Sequence, residues 1–143
     1  MKLRIRKIDK DLPLPEYKTA GAAGFDLCAR VAVSIPAKSA MRVPLNVVLA
    51  PPEGYMVILA ARSSLHKKGL MLANGVGIMD HDFCGNDDEY HAALYNFIDA
   101  PVSIKRGERI VQGILKKHER AEWEEVDDLQ NPTRGGFGTT GAS

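Results

Sequence analysis

The segment GIMDHDFCGNDDE, residues 77–89, concentrates acidic side chains that could do chemistry. Five carboxylates fall within ten positions: Asp80, Asp82, Asp87, Asp88 and Glu89. Asp80 directly follows the apolar pair Ile78 and Met79, so we expect it where a buried strand emerges. A carboxylate there is partly desolvated, and its neighbours can tune it into a base for water. The other acids at 87–89 are expected to form a solvated acidic turn, because charge runs are usually exposed faces.

A calcium-binding loop is the first alternative for this segment. Asp80, Asp82 and Gly85 match loop positions one, three and six of an EF-hand. Position five would then be Cys84, a poor calcium ligand, and position twelve would be His91 instead of glutamate. The flanking residues also have the pattern of strands, so we reject this interpretation.

Three other segments could share a site with Asp80. GAAGFD (21–26) is a glycine/alanine loop that leads to a second carboxylate, Asp26. ARSSL (61–65) offers a guanidinium and two hydroxyls, which suit phosphate oxygens. RGGFGTTG (134–141) is similar to a phosphate-cradling loop with one aromatic. Each signal is weak alone, but together they supply the parts of metal-assisted phosphoanhydride hydrolysis.

The hydrophobic pattern that must position these residues has mostly a period of two. Strands are predicted at Leu3/Ile5, Val31–Ile35, Met41–Ala50, Tyr55–Ala60, His91–Phe97, Val102–Ile104 and Arg109–Leu115. Only residues 62–69 could form a turn or two of helix, with Ser63 or Ser64 near its start. Many short strands with turns between them predict an all-β sandwich, jelly roll or barrel.

Length and composition exclude several classes of protein. The 143 residues suit one domain, and a net charge of +1 with interspersed signs argues against a duplex nucleic-acid partner. The N-terminus has no continuous apolar run, so we expect neither a signal peptide nor a membrane span. Cys28 and Cys84 match no metal spacing and indicate reduced thiols in a cytoplasmic protein. We predict a β domain over 1–132 and a mobile, glycine-rich tail over 133–143.

Five segments in this order resemble the motifs of the trimeric dUTP diphosphatases (dUTPases). They are AGAAGFDL (20–27), RSSL (62–65), NGVGIMDHDFCG (74–85), GERIVQ (107–112) and RGGFGTTG (134–141). The resemblance runs from about Leu3 to Gly141. It implies a jelly-roll subunit, a homotrimer with active sites at subunit interfaces, and hydrolysis of dUTP to dUMP and pyrophosphate with Mg²⁺ on the triphosphate.

The resemblance also implies roles for individual residues. Asp80 would deprotonate the water that attacks the α-phosphorus, and Asp26 would hold metal-bound waters. Substrate-binding residues would contact the phosphates, the sugar or uracil: Arg62, Ser63, Ser64, Asn74, Gly77, Met79, Phe83, Gln112, Arg134, Phe137, Gly138 and Thr139. Within this set the backbone around Gly77 would read uracil, Phe137 would stack on it, and the tail would close over the outer phosphates. We expect Arg109 to form a structural ion pair.

This chain departs from the family pattern at four places. Phe83 stands where tyrosine is usual, and its ring would exclude the 2′ hydroxyl of ribonucleotides. Ser64 replaces a glycine, and only two residues separate Arg134 from Phe137 where many relatives have four. The loop between Gly85 and Asn96 is about three residues longer than in shorter relatives.

Two other functions are weighed against diphosphatase activity. The RSSL stretch also resembles the dCTP deaminases, which carry a glutamate in the strand after the third motif, whereas HAALYNF (91–97) has none. The chain could also be an inactive dUTP-binding regulatory module. The presence of Asp26, Arg62, Asp80 and Arg134 argues against decay to a binder, because binding alone does not require the base.

Overall fold

Eleven strands carry the fold in the computed structural model, which describes residues 1–138 and 141. They are β1 (Arg4–Lys7), β2 (Phe25–Cys28), β3 (Val33–Ile35), β4 (Ala40–Pro44), β5 (Val47–Ala50), β6 (Tyr55–Ala61), β7 (Leu70–Leu72), β8 (Gly77–Met79), β9 (His91–Asn96), β10 (Val102–Ile104) and β11 (Arg109–Lys117). One 3-10 helix, Leu65–Lys68, is the only helical element of the described chain. No helix in this part is long and apolar enough to cross a membrane.

All strand pairs are antiparallel, and they form four small sheets. The largest has the order β2-β11-β6-β8, and a three-stranded sheet has the order β4-β9-β7. β1 pairs with β5, and β3 pairs with β10. The predicted all-β, jelly-roll-like class is therefore confirmed.

The strands differ from the sequence prediction in several regions: β2 and β7 were not predicted as strands, and β3 begins at Val33 instead of Val31. The apolar run Met41–Ala50 is two strands, because Asn46 has a left-handed backbone (φ 71°) between them. The Asn46 side chain fixes this break: its amide accepts from the Asp9 N–H at 2.6 Å and donates to the Asp9 carbonyl at 3.2 Å. Asparagine tolerates this conformation better than a β-branched residue would. The predicted short helix is present, with Ser64 at its N-cap.

The core consists of aliphatic side chains that alternate along the strands. On β2, Phe25 and Leu27 are buried while Asp26 lies on the opposite face. On β6, Val57 and Leu59 are buried, so that Ile58 and Ala60 lie on the outer face. This alternation makes the outer face of the four-stranded sheet available for polar residues.

A β-bulge in β11 changes which side chains reach that outer face. The pairing with β2 shifts between Arg109 and Val111, and both Ile110 and Val111 are buried. In a regular strand, residues 109 and 112 would point to opposite faces. The extra residue places Arg109 and Gln112 together on the outer face, as bulges do next to functional sites.

The acidic extension, which comprises Asn86 to Glu89, is not a uniformly solvated turn. Glu89 is 9% exposed and accepts two hydrogen bonds from the Arg30 guanidinium, at 2.7 and 3.1 Å. It also accepts from the backbone N–H of Asn46 at 2.9 Å. The expectation of a solvated Glu89 was wrong, because Arg30 lies 59 residues away in sequence and local charge does not reveal it. Asp87 is exposed, as predicted.

We predict that Glu89→Ala lowers the free energy of unfolding by about 2–4 kcal/mol, because it leaves the Arg30 guanidinium and the Asn46 N–H without their acceptor. Urea denaturation measures this loss. Asp87→Ala is the matched control in the same extension and should change stability by no more than about 0.5 kcal/mol. Equal effects of the two substitutions would contradict the anchoring role of Glu89.

Candidate active site

A polar cleft lies where three strands of the four-stranded sheet meet the loop before β2. Its volume is about 210 Å³. The lining comes from the first, second and fourth sequence motifs and from the preceding loop: Lys18, Ala22, Gly24, Asp26, Arg62, Ser63 and Gln112. The structure therefore brings together four of the predicted site residues, Asp26, Arg62, Ser63 and Gln112.

Asp26 is the electrostatic centre of this cleft. Its Oδ1 accepts from Nε of Arg62 at 3.1 Å, and its Oδ2 accepts from Nη1 of Arg109 at 2.9 Å. Arg62 also donates from Nη1 to the Arg109 carbonyl at 3.3 Å. The expected ion pair of Arg109 is thus confirmed, with Asp26 as its partner. The carboxylate fixes the direction of both guanidiniums before any anion arrives.

Gln112 is held at the bottom of the cleft by backbone geometry. It lies opposite Asp26 on one side and Ala60 on the other, and its Nε2 donates to the Ala61 carbonyl at 3.0 Å. The backbone of Gly24 packs directly against it: a Cβ at this position would lie 2.4 Å from Oε1 of Gln112. Only glycine leaves the amide group in its present place.

Lys18 is a cleft residue that the sequence interpretation missed. It ion-pairs with Glu16, and this hydrogen bond holds the pKa of the Glu16 carboxyl below its usual value. The only available signal was a cation three residues before the GAAGFD loop, and single surface lysines are too common to be informative. Ser63 lines the cleft, whereas Ser64 is exposed at the N-cap of the 3-10 helix and does not line it.

Asp80 lies far from this cleft within one chain. β8 pairs with β6 so that Gly77 is opposite Leu59 and Met79 is opposite Val57. Continuing this register places Asp80 beside Met56, six residues before Arg62, which is about 20 Å along a strand. The expectation of partial desolvation was also wrong for the single chain, in which Asp80 is exposed. Asp80 and the cleft residues thus lie at opposite ends of the sheet.

The remaining third-motif residues surround the β7–β8 turn and the segment after β8. Asn74 is exposed in the turn, where Gly75 has a left-handed backbone (φ 73°). Gly77 is buried against Leu59, and Met79 packs partly against the core. Phe83 is 38% exposed, so one face of its ring is open to a ligand.

Three C-terminal residues predicted to bind substrate, Arg134, Phe137 and Gly138, do not line the cleft. Arg134 and Gly138 are exposed, and Phe137 is fully exposed with φ 52°. Thr139 lies outside the described residues. Their proposed roles remain predictions.

The described residues do not form a metal cage of their own. No group of three or more His, Cys, Asp or Glu side chains among them is arranged to hold a metal ion. Asp26 is the carboxylate that lines the cleft, and both its oxygens already accept from guanidiniums. Each carboxylate oxygen has further acceptor capacity, so Asp26 can receive a hydrogen bond from metal-bound water without losing its partners. A single carboxylate of this kind suits a cation that is coordinated mainly by the phosphates of a ligand and contacts the protein through water.

Comparison with known proteins gives one consistent result. The family model described as dUTPase matches residues 10–141. A protein of Dictyoglomus turgidum named deoxyuridine 5′-triphosphate nucleotidohydrolase is 37% identical over 148 aligned positions, covering 99% of each chain.

Solved structures extend the likeness to the whole fold. The dUTPase of Streptococcus mutans superposes with a TM-score of 0.76 at 33% identity and covers 83% of this chain and 98% of its own. The dUTPase of Staphylococcus bacteriophage 80alpha, solved with dUpNHpp, gives a TM-score of 0.85 at 20% identity, with 99% of both chains covered. The phage enzyme supports the fold alone at this identity.

We predict that Gly24→Ala weakens the binding of pyrophosphate up to about tenfold, because the new methyl group displaces the Gln112 amide and breaks its bond to Ala61. Isothermal titration with pyrophosphate measures the change. Gly21→Ala is the matched control, since a Cβ there has no neighbour within 4 Å. Wild-type affinity in the Gly24→Ala variant would show that the position of Gln112 is irrelevant to the cleft.

Proposed function

The chain belongs to the dUTPase family, and from this premise we propose that it hydrolyses dUTP to dUMP and pyrophosphate. The observation that supports the proposal most directly is the cleft in which Asp26 orients Arg62 beside Ser63 and Gln112. Guanidinium, hydroxyl and amide donors at one place suit the oxygens of a polyphosphate.

The cleft would act on the ligand by orientation and charge stabilisation. Arg62 is directed by Asp26 and keeps donors for phosphate oxygens, and Ser63 lies next to it. The Gln112 amide would assist near the α-phosphate. Because these donors are already fixed, they need no reorganisation as negative charge moves from the α-phosphorus to the leaving pyrophosphate.

Asp80 would serve as the general base in this reaction. It would accept a proton from the water that attacks the α-phosphorus, and the pyrophosphate would depart as the bond from the α-phosphorus to the bridging oxygen breaks. The exposed Asp80 of a single chain is freely hydrated, so a neighbouring chain must supply the enclosed environment.

We propose a homotrimer with sites between subunits, and the position of Asp80 supports a site shared between chains. Since Asp80 and Arg62 are separated by six residues of strand, one chain cannot bring both to the same phosphorus atom. An apolar row of Ile114, Ile58 and Ile78 crosses three strands on the outer face between them. Ile78 is 53% exposed, and association of subunits over this row would remove it from water.

We also propose Mg²⁺ as the cofactor, bound to the triphosphate, with Asp26 contacting it through coordinated water. The cation would neutralise phosphate charge and withdraw electrons from the α-phosphorus. Asp26 fits this role because it lines the cleft and is the only carboxylate that does so among the described residues.

The nucleoside would bind near the third motif. We propose that Asn74 and the backbone around Gly77 contact uracil, that Met79 lies beside the base, and that the Phe83 ring packs against the 2′ carbon of the sugar. A ribose hydroxyl placed on this ring would lose its hydration without gaining a partner, which disfavours UTP.

The tail from residue 133 is proposed to close over bound nucleotide. Arg134 has paired donors for phosphate oxygens, and the exposed Phe137 ring offers a flat face for uracil. Gly138 and Thr139 would provide backbone and hydroxyl donors nearby. Closure would exclude water from the charges around the α-phosphorus.

Deaminase chemistry is less compatible with the structure. Glu89 is the acid nearest in sequence to the strand that carries the deaminase glutamate, and it is bound by Arg30 and by the Asn46 N–H. A carboxylate held in this way cannot approach a ligand without breaking a nearly buried ion pair.

A cytoplasmic location is proposed for the enzyme. Cys28 and Cys84 are both free. Unpaired thiols, one of them exposed at Cys84, suit a reducing compartment.

We predict that Asp80→Asn lowers the kcat for dUTP by on the order of a hundredfold or more, because it removes the proton acceptor. Affinity for a non-hydrolysable dUTP analogue should stay within about threefold of wild type, since the lost interaction acts in the transition state. Asp82→Asn, two residues along, is the control and should retain activity. Normal turnover by Asp80→Asn would remove Asp80 from this role.

A second prediction tests whether the site is shared between chains. Asp80→Asn and Arg62→Ala should each be nearly inactive as pure oligomers. Unfolding and refolding an equal mixture should restore about a quarter of wild-type activity, because a quarter of the interfaces then pair an intact Asp80 with an intact Arg62 from another chain. Size-exclusion chromatography with light scattering checks that trimers form. A mixture that stays inactive while assembling normally would place the complete site within one chain.

A further inference from the structure

Tyr90 has a hydrogen-bonding and packing environment that the proposed chemistry does not explain. It is fully buried, and its hydroxyl is the one buried side-chain polar atom without a hydrogen-bond partner among the described residues. Its ring stacks on Phe83, with centroids 6.3 Å apart and an interplanar angle of 18°. A buried hydroxyl without a partner costs stability, so the residue is not a good choice for the core alone.

The backbone of Tyr90 is fixed on both sides. Its N–H donates to the Val47 carbonyl at 2.8 Å, and its carbonyl accepts from the Leu45 N–H at 2.9 Å. The preceding residue, Glu89, is bound by Arg30 and by the Asn46 N–H. The Tyr90 ring is therefore a rigid surface attached to the core.

Phe83 lies in a turn segment that is held by few hydrogen bonds. Its N–H donates to the Asp80 carbonyl at 3.3 Å, which is a long hydrogen bond. The turn continues through Gly85, whose N–H donates to the Asp88 carboxylate at 2.7 Å. With 38% of Phe83 exposed, one ring face is open and the other rests on Tyr90. The Tyr90 ring is thus an aromatic contact that can hold the Phe83 ring in its present orientation.

We propose that Tyr90 is a positioning residue for substrate specificity, which holds the Phe83 ring in the plane that excludes a 2′ hydroxyl. This inference rests on the proposed function and extends it to a residue that does not touch the substrate. A ring that could tilt would make room for the hydroxyl of a ribonucleotide, whereas a ring packed against a fixed aromatic cannot.

The stacked ring, and not the hydroxyl, carries this role. Burial raises the pKa of the Tyr90 hydroxyl well above its usual value, so the group stays protonated and uncharged in the core. Tyr90→Phe retains the ring and removes the unpartnered hydroxyl. Tyr90→Leu retains an apolar side chain and removes the ring.

The test is the ratio of kcat/KM for dUTP to kcat/KM for UTP, measured for three variants and for wild type. Tyr90→Leu should lower this ratio by about tenfold or more, chiefly through faster turnover of UTP, because one steric contact in a pocket contributes discrimination of this size. Tyr90→Phe should leave the ratio unchanged and should not lower the melting temperature.

Leu94→Ala is the control for loss of stability. Leu94 is fully buried on the same face of the chain as Tyr90, four residues along, or about 13 Å away. The Leu94→Ala variant should have a lower melting temperature than wild type but the same ratio of kcat/KM for dUTP to kcat/KM for UTP. If Tyr90→Leu does not fold, Tyr90→Met, with its flexible unbranched chain, replaces it in the same comparison.

The outcomes separate this inference from the proposed function. Wild-type protein that does not hydrolyse dUTP would overturn the proposed function. Wild-type activity with an unchanged ratio in the variant that lacks the ring would overturn the role of Tyr90 alone. A ratio that falls equally in Leu94→Ala would also overturn it, because the effect would then come from general destabilisation.

Discussion

The antiparallel register of β6 between β11 and β8 is the constraint on which the candidate site depends. This register places Gln112 opposite Ala60 and Ile78 opposite Ile58, so both ends of the sheet are fixed relative to each other. A slip of one residue would turn every side chain of a strand to the other face and would bury polar groups in the core. Because the buried alternation of β6 forbids such a slip, Arg62 and Asp80 cannot approach each other by local rearrangement. The separation of Arg62 from Asp80 within one chain is therefore fixed by the packing of the core and not by the loops.

A second constraint is the charge balance in the cleft. Lys18, Arg62 and Arg109 lie close together and would repel one another if left alone. Glu16 pairs with Lys18, and Asp26 receives both guanidiniums. These acids therefore reduce the repulsion between the three cations and fix the orientation of their side chains. Some N–H groups of the cations remain available to an anion. Among the described residues, Nη2 of Arg62 has no protein acceptor, so this donor is available to an anion. The bulge at Ile110 is essential here because it places Arg109 and Gln112 on one face.

Much of this arrangement was predictable from the sequence, and the rest was not, for physical reasons. A period of two reveals strands because burial alternates along each one, and it identified most of β6, β9 and β11. It did not reveal the break at Asn46, since an asparagine can continue a strand or leave it. Four of the residues that the motifs singled out, Asp26, Arg62, Ser63 and Gln112, line one cleft. The sequence did not reveal the distance between the cleft and Asp80, because this distance depends on strand register. It did not reveal that Lys18 lines the cleft, because local composition does not determine the conformation of the loop.

The five carboxylates of residues 80–89 illustrate the same limit at a single segment. Their closeness in sequence suggests mutual repulsion, but in the structure they are not equivalent. Glu89 is neutralised by Arg30, and the Asp88 carboxylate accepts from the Gly85 N–H. Asp87 projects into water, where repulsion is screened. Asp80 alone follows a strand of the four-stranded sheet without an ion-pair partner among the described residues. The segment thus combines two acids that hold its own structure, Asp88 and Glu89, with a carboxylate at the end of a strand that pairs with no cation of the described residues.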